Sequence, residues 1–208
     1  MRLIGFGLFA SIGVALFSAS IAIRVAEAET RFTIIDSSPT SWVARGYDNY
    51  TVSPAVGWTF TPSRNFDNGV SFRIEGPPRP GTSVDYWRLD FAAPFNRLIT
   101  PGLYSNFRRY PFQDANQPGL SFSSTGRLDN MASGTYQVLQ VSYGTSGTVT
   151  SFSADFTHYG ETNPANYAMV ELRYNAIIPE PSSYLPLLIA SFALLATYRG
   201  ERDALDRD

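Results

Sequence analysis

Thr148-Val149-Thr150-Ser151-Phe152-Ser153-Ala154-Asp155-Phe156-Thr157-His158 sets apolar Phe152, Ala154 and Phe156 against polar Ser153, Asp155 and Thr157. A period of two places one set on each face of an extended chain, the pattern of a half-buried β-strand. Just before it stands Gly144-Thr145-Ser146-Gly147, a tight glycine-bounded link, and before that another strand-like run from Gly134 to Tyr143. The three together predict a β-hairpin. Within the first arm, Tyr136 and Val138 hold one phase and Leu139, Val141 and Tyr143 the other. Such a slip predicts a bulge or burial on both faces.

The same grammar extends outward in both directions. Tyr167 to Tyr174 alternates Val170, Leu172 and Tyr174 with Glu171 and Arg173. Further runs are read at Arg31–Asp36, Trp58–Thr61, Val70–Glu75, Tyr86–Phe91, Gly102–Arg108 and Leu120–Ser123. Gly, Pro, Asn and Asp punctuate them, and Phe66-Asp67-Asn68-Gly69 reads as a turn. No helical period appears between the two ends of the chain. The expected fold is all-β, an antiparallel β-sandwich of jelly-roll-like type, with a barrel as the second choice.

Composition agrees. Only 16% of the 208 residues are charged and 14% are aromatic, which favours a sheet protein over a helical one. Cysteine is absent, so neither disulfides nor thiolate metal sites are available. All basic residues are arginine, and from Glu29 to Ile178 eleven of them face twelve carboxylates. That balance argues against a nucleic-acid partner, which needs a basic surface.

The ends carry the address. Met1-Arg2 and the apolar run Leu3–Ile23 read as a secretory signal helix, and Ala26-Glu27-Ala28 as a signal peptidase site leaving Glu29 first. At the other end Pro179-Glu180-Pro181 precedes an apolar stretch, Tyr184–Tyr198, and then Arg199 and Arg202. Fifteen helical residues reach about 22 Å, short of a ~30 Å hydrocarbon core. Snorkelling by Arg199 lessens the deficit, which suits transient membrane association. The expected organisation is a signal peptide at 1–28, a β-sandwich domain at 29–178 and a tail at 179–208 whose apolar part is a membrane helix.

This tail resembles the PEP-CTERM sorting signal of exopolysaccharide-producing bacteria. Pro179, Glu180 and Pro181 match its motif, Leu185–Ala196 its helix, and Arg199 and Arg202 its basic end. The resemblance implies export, recognition by an exosortase and processing of the tail near the motif. One departure stands: Arg199–Asp208 holds three arginines against four carboxylates. The middle of the chain is similar to a little-characterised bacterial exported domain. Ser63-Arg64-Asn65-Phe66-Asp67-Asn68-Gly69, Leu89-Asp90-Phe91-Ala92-Ala93-Pro94 and Leu98-Ile99-Thr100-Pro101-Gly102-Leu103-Tyr104 carry the likeness, with Arg109-Tyr110-Pro111-Phe112-Gln113. Phe152-Ser153-Ala154-Asp155-Phe156 and Leu172-Arg173-Tyr174-Asn175 extend it. Relatives of that domain carry a cysteine pair near the positions of Asp129 and Tyr159, and the family brings no activity with it.

Chemistry is sparse. His158 is the only histidine, so any Ser-His-Asp triad must use it, and no Gly-x-Ser-x-Gly elbow exists. A structural role at a strand end is the expectation. Asp85 with Asp90, or Asp155 with Glu161, are the carboxylate pairs open to glycoside hydrolysis, though nothing in their spacing selects them. Asp114-Ala115-Asn116 and Asp129-Asn130 offer oxygens to Ca²⁺ without forming a full ligand loop, so no metal and no cofactor is expected. The aromatic cluster Tyr86-Trp87-Arg88 and Tyr104–Phe112 is the most suggestive feature. Trp87, Tyr104, Arg109 and Tyr110 are the candidate sugar contacts, while Trp87, Phe91, Phe107 and Phe112 also suit a β core. The sequence thus favours an exported, non-enzymatic protein of the envelope or extracellular matrix, with signal peptidase, exosortase and exopolysaccharide as its partners. A secreted carbohydrate-binding module or carbohydrate-active enzyme is the alternative.

Overall fold

The structure, a computed structural model, describes residues 27–177 apart from Arg79 and Thr82. The expected signal helix, Ala26, the Pro179-Glu180-Pro181 motif, the apolar tail, Arg199 and Arg202 lie outside the described residues. Among the described residues no helix is long and apolar enough to cross a membrane.

Among the described residues twelve strands make two six-stranded sheets. In chain order they are β1 (Glu29–Ser37), β2 (Tyr50–Val52), β3 (Thr59–Arg64), β4 (Val70–Glu75), β5 (Tyr86–Ala92) and β6 (Gly102–Ser105). Then follow β7 (Arg108–Arg109), β8 (Gly119–Ser124), β9 (Arg127–Leu128), β10 (Ala132–Tyr143), β11 (Val149–Gly160) and β12 (Tyr167–Ala176). The first sheet runs β2-β1-β12-β11-β10-β6, and the second β3-β4-β5-β8-β7 with β9 on β8.

The alternation in β11 explains why the sheets stack. Phe152, Ala154 and Phe156 leave water on one face, and the second sheet offers Phe72, Leu89, Phe91 and Phe122 on its own inner face. The rings meet across the gap: Phe72–Phe152 at 5.4 Å, Phe91–Phe152 at 5.1 Å and Phe122–Phe156 at 5.5 Å between centroids. Tilted and edge-on geometries dominate, as the ring quadrupole favours. The buried Tyr136 hydroxyl donates to the Ala92 carbonyl oxygen at 2.7 Å, which satisfies a polar group that burial would otherwise penalise. The molecule is therefore an all-β sandwich.

The chain crosses between the sheets after β2, β5, β6 and β9. Here β3-β4-β5 meanders in one sheet and β10-β11-β12 in the other. Antiparallel β1 and β12 then bring the two ends of the domain together, with Phe32 opposite Leu172.

The expected hairpin is present, closed by Gly144 N–H donating to the Thr148 carbonyl at 2.8 Å. Register between β10 and β11 shifts between Val138 and Gln140, so the phase slip read in the sequence is a bulge at Leu139. The Gly102–Arg108 run, read as one strand, divides. Asn106 turns left-handed at φ 56°, sending β6 to the first sheet and β7 to the second. β2 and β9 are too short to show a period and were not legible.

The turn at 66–69 also works differently from its residue types. Asn68, not Gly69, takes the left-handed conformation at φ 60°. Gly69 is needed for space instead, because a Cβ there would sit 1.9 Å from the Phe91 carbonyl oxygen. Asn65 clamps the turn, accepting from the N–H groups of Asp67 and Gly69 and donating to Phe91 O.

Candidate functional site

A groove of about 970 Å³ lies on the outer face of the second sheet. Its floor follows from strand register. β4 buries Val70, Phe72 and Ile74 and β5 buries Trp87, Leu89 and Phe91 in the core, so the residues between them face outward, and strand pairing carries that outer face onto β3 and β8. Antiparallel pairing aligns Ser63, Ser71, Asp90 and Ser121 in one row across the sheet. The next row outward is Thr61, Arg73, Arg88 and Ser123. Hydroxyls thus flank a central pair of arginines and one carboxylate.

Arg73 and Arg88 stand directly opposite each other, a like-charge pair that a sheet tolerates only when it is neutralised. Each is neutralised along its own strand. Arg73 reaches Glu75 at 2.8 Å, and Arg88 reaches Asp90 at 3.0 Å. Asp90 is buried and also accepts from the Ser71 hydroxyl at 2.5 Å. Its oxygens are therefore occupied, while both guanidiniums remain half-exposed with N–H donors to spare.

Aromatic residues stand at the margins. Trp42, from the loop between β1 and β2, is 53% exposed, and Arg45 covers one side of its ring at 5.4 Å. Phe66, also exposed, packs against Tyr110 at 5.5 Å. The Tyr110 hydroxyl is buried without a hydrogen-bond partner, and desolvation, aided by Asp67, pushes its pKa up to about 12. It stays protonated and able to donate.

The four candidate sugar contacts do not come together as expected. Trp87 is 3% exposed and belongs to the core, stacked on Phe122 and tilted against Phe32. Tyr104 stacks on Tyr136 at 4.7 Å, and its hydroxyl is tied to the backbone of Thr100. Arg109 lies over Phe112 and donates to the Asn130 carbonyl. Only Tyr110, itself 6% exposed, borders the groove. The expected platform of these four side chains is thus corrected: the rings that read as a surface strip mostly fill the sandwich, because a β core is built from aromatics. Phe107 and Phe91 are core as expected, whereas Phe112 is exposed.

The other sequence candidates stay apart. Asp155 pairs with Arg173, and Glu161 accepts from the Asn130 N–H beyond the end of β11. Six extended residues separate that pair by roughly 20 Å, more than hydrolysis of one glycosidic bond allows. Asp90 is sequestered inside the groove floor, while Asp85 precedes β5. Among the described residues no group of three or more His, Cys, Asp or Glu comes together as a metal site.

His158 is buried at the end of β11 between Phe107 and Phe122, with Asp129 Oδ2 3.9 Å from its Nε2. That separation is too long for a hydrogen bond. Desolvation lowers the His158 pKa to about 4 and, with help from Glu161, raises that of Asp129 to about 6. Both groups are thereby held neutral in mildly acidic solution, a structural arrangement enclosed by the sandwich.

The groove residues that sequence reasoning missed left a faint signal, the polar half of each strand's alternation. Which polar residues share a surface depends on register and on which sheet each strand joins. No protein-family model, curated protein or solved structure matches this chain.

Proposed function

We propose that this chain is an exported, non-enzymatic protein of the cell envelope or extracellular matrix whose sandwich holds a glycan in the groove of its second sheet. The observation that carries the reading is the groove floor, where hydroxyls flank the paired guanidiniums of Arg73 and Arg88 in register, in a groove also lined by the exposed rings of Trp42 and Phe66. Sugars need that combination, edges for hydrogen bonds and apolar faces for stacking. The carbohydrate-active enzyme reading has less support, since Asp90 is the sole carboxylate among the described groove residues and its oxygens are engaged.

The strand boundaries support the processing that the terminal sequences imply. β1 begins at Glu29, directly after exposed Ala28, and β12 ends at Ala176, three residues before Pro179. Cuts by signal peptidase after Ala28 and by an exosortase near Pro179 leave every strand whole. The membrane helix of the tail then serves as a transient hold before release, in the manner of a PEP-CTERM signal.

The test is a cell fractionation with intact-mass measurement. The wild-type chain is expected in the extracellular polymer fraction, trimmed at both ends. A variant with Pro179, Glu180 and Pro181 replaced by Ala should stay with the membrane, untrimmed at its C-terminus. Identical mass and location for the two would sink the sorting reading.

A further inference from the structure

We infer that the groove takes an acidic polysaccharide, one whose sugars carry carboxylate or sulfate groups, with a ring stacked on Trp42 and its anionic group held by Arg127. This rests on the glycan-binding reading above and narrows it to a ligand class. The argument is one of charge placement. From Glu29 to Ile178 eleven arginines face twelve carboxylates, so the domain as a whole is slightly acidic. Arg64, Arg73, Arg88 and Arg127 nevertheless line this one groove, and Asp90 is the only carboxylate among its described lining residues. With Glu75, the partner of Arg73, added to the count, four guanidiniums still meet two carboxylates.

The excess sits at the two margins. Arg73 and Arg88 on the floor are paired, but among the described residues no carboxylate lies within ion-pair distance of Arg64 or Arg127. Arg64, on the edge strand β3, donates to Asn68 and lies over Tyr143. Arg127, on β9 at the other side of the sheet, has its Nη1 buried with no hydrogen-bond partner. Desolvation and the neighbouring Arg45 lower its pKa, while Tyr47 and Asp85 favour its charge. Arg45 in turn lies over the exposed ring of Trp42 at 5.4 Å. Two like charges thus crowd one indole, and an anion placed beside them relieves their repulsion. A guanidinium's planar fork takes such an oxyanion through parallel N–H donors. Ser123, in register between Arg88 and Leu128, offers a hydroxyl to the sugar's own.

Affinity electrophoresis of the mature chain through gels containing alginate, polygalacturonate, dextran sulfate, dextran, galactomannan or hydroxyethylcellulose tests this, with poly-glutamate as a polyanion that lacks sugar. Retardation is expected in at least one acidic polysaccharide gel and in no neutral one. It should be strong near about 50 mM NaCl and mostly lost by about 500 mM, as the screening length shrinks. Arg127→Gln should weaken the retardation about threefold to tenfold, and Arg127→Lys, which keeps the charge, should recover part of it. Trp42→Ala should weaken it as well, because the stacking face is gone. Arg97→Gln removes the same charge outside the groove lining and should leave it unchanged. Neutral polymers that retard the chain as much as acidic ones, or alone, would overturn the inference while leaving the glycan reading intact. Retardation in no gel, or equal retardation by poly-glutamate, would overturn both. Acidic retardation that falls equally in Arg97→Gln and Arg127→Gln would refute the placement at this groove.

Discussion

Replacing Asp129 by asparagine is expected to change how stability depends on pH, through a cancellation between two buried groups. His158 titrates near 6.5 when unfolded and near 4 when folded, so its neutral form is favoured by folding. Its contribution is complete above the unfolded value and is lost as pH falls from 6.5 towards 4. Asp129 runs the other way. Its pKa rises from 3.8 to about 6, so its contribution is complete below 3.8 and is lost as pH rises through 6. Between about pH 4 and 6 the unfolded chain keeps one proton on the histidine, and the folded chain keeps one on the aspartate. Proton numbers match, and the two slopes cancel.

In Asp129→Asn the new side chain resembles the protonated aspartate in shape and cannot ionise. The variant should equal the wild type near pH 4 and exceed it increasingly as pH rises. At about 1.36 kcal/mol per pH unit the gap approaches roughly 2–3 kcal/mol near pH 7, where the wild type must hold a buried carboxylate charged. Arg109 offsets part of that cost, which sets the lower end. Urea unfolding followed by tryptophan fluorescence, at several pH values from about 4 to 7, measures the difference directly. Carboxylates elsewhere cancel between the two proteins. A gap that stays constant with pH would refute the reasoning, because a lost contact without linked ionisation has no such slope.

Two further substitutions probe the sandwich itself. Gly69→Ala places a Cβ against the Phe91 carbonyl oxygen, a backbone atom that cannot swing aside, and should cost about 1–3 kcal/mol, lowering Tm by roughly 3–10 °C in a calorimetric scan. Asn68→Gly, the control, relaxes the left-handed residue beside it but gives up exposed hydrogen bonds to Arg64 and the Asn96 carbonyl, so it should lower Tm by less than Gly69→Ala does. Phe152→Ala removes a fully buried ring that touches both Phe72 and Phe91 across the sheet gap, and a loss of about 3–5 kcal/mol in urea unfolding is expected. A loss under about 1 kcal/mol would mean that the sheets are not held by this contact.

Much of the fold was written locally. Phe152, Ala154 and Phe156 betray a buried face because a strand's period is two, and neither partner nor register is needed to see it. The slip after Val138 declared the bulge in the same way, and the paired glycines at 144 and 147 declared the hairpin. Composition removed disulfides and thiolate metals outright, since no cysteine is present. What stayed hidden was whatever depends on strands meeting. Alternation tells that Trp87 and Arg88 face opposite ways, but which of the two faces the other sheet is decided when Phe32 and Phe122 close over the indole. That choice moved Trp87 into the core and left Arg88 on the surface beside Arg73. Trp42 lies in a loop with no period at all, so only packing could place it at the groove. Ser63, Ser71, Asp90 and Ser121 come from four strands and form a row solely through antiparallel register. The sequence determined by itself where chain segments are extended and which side of each is apolar, because those are properties of near neighbours. The tertiary structure decided which polar sides share a surface, because that needs hydrogen bonds between residues far apart in the chain.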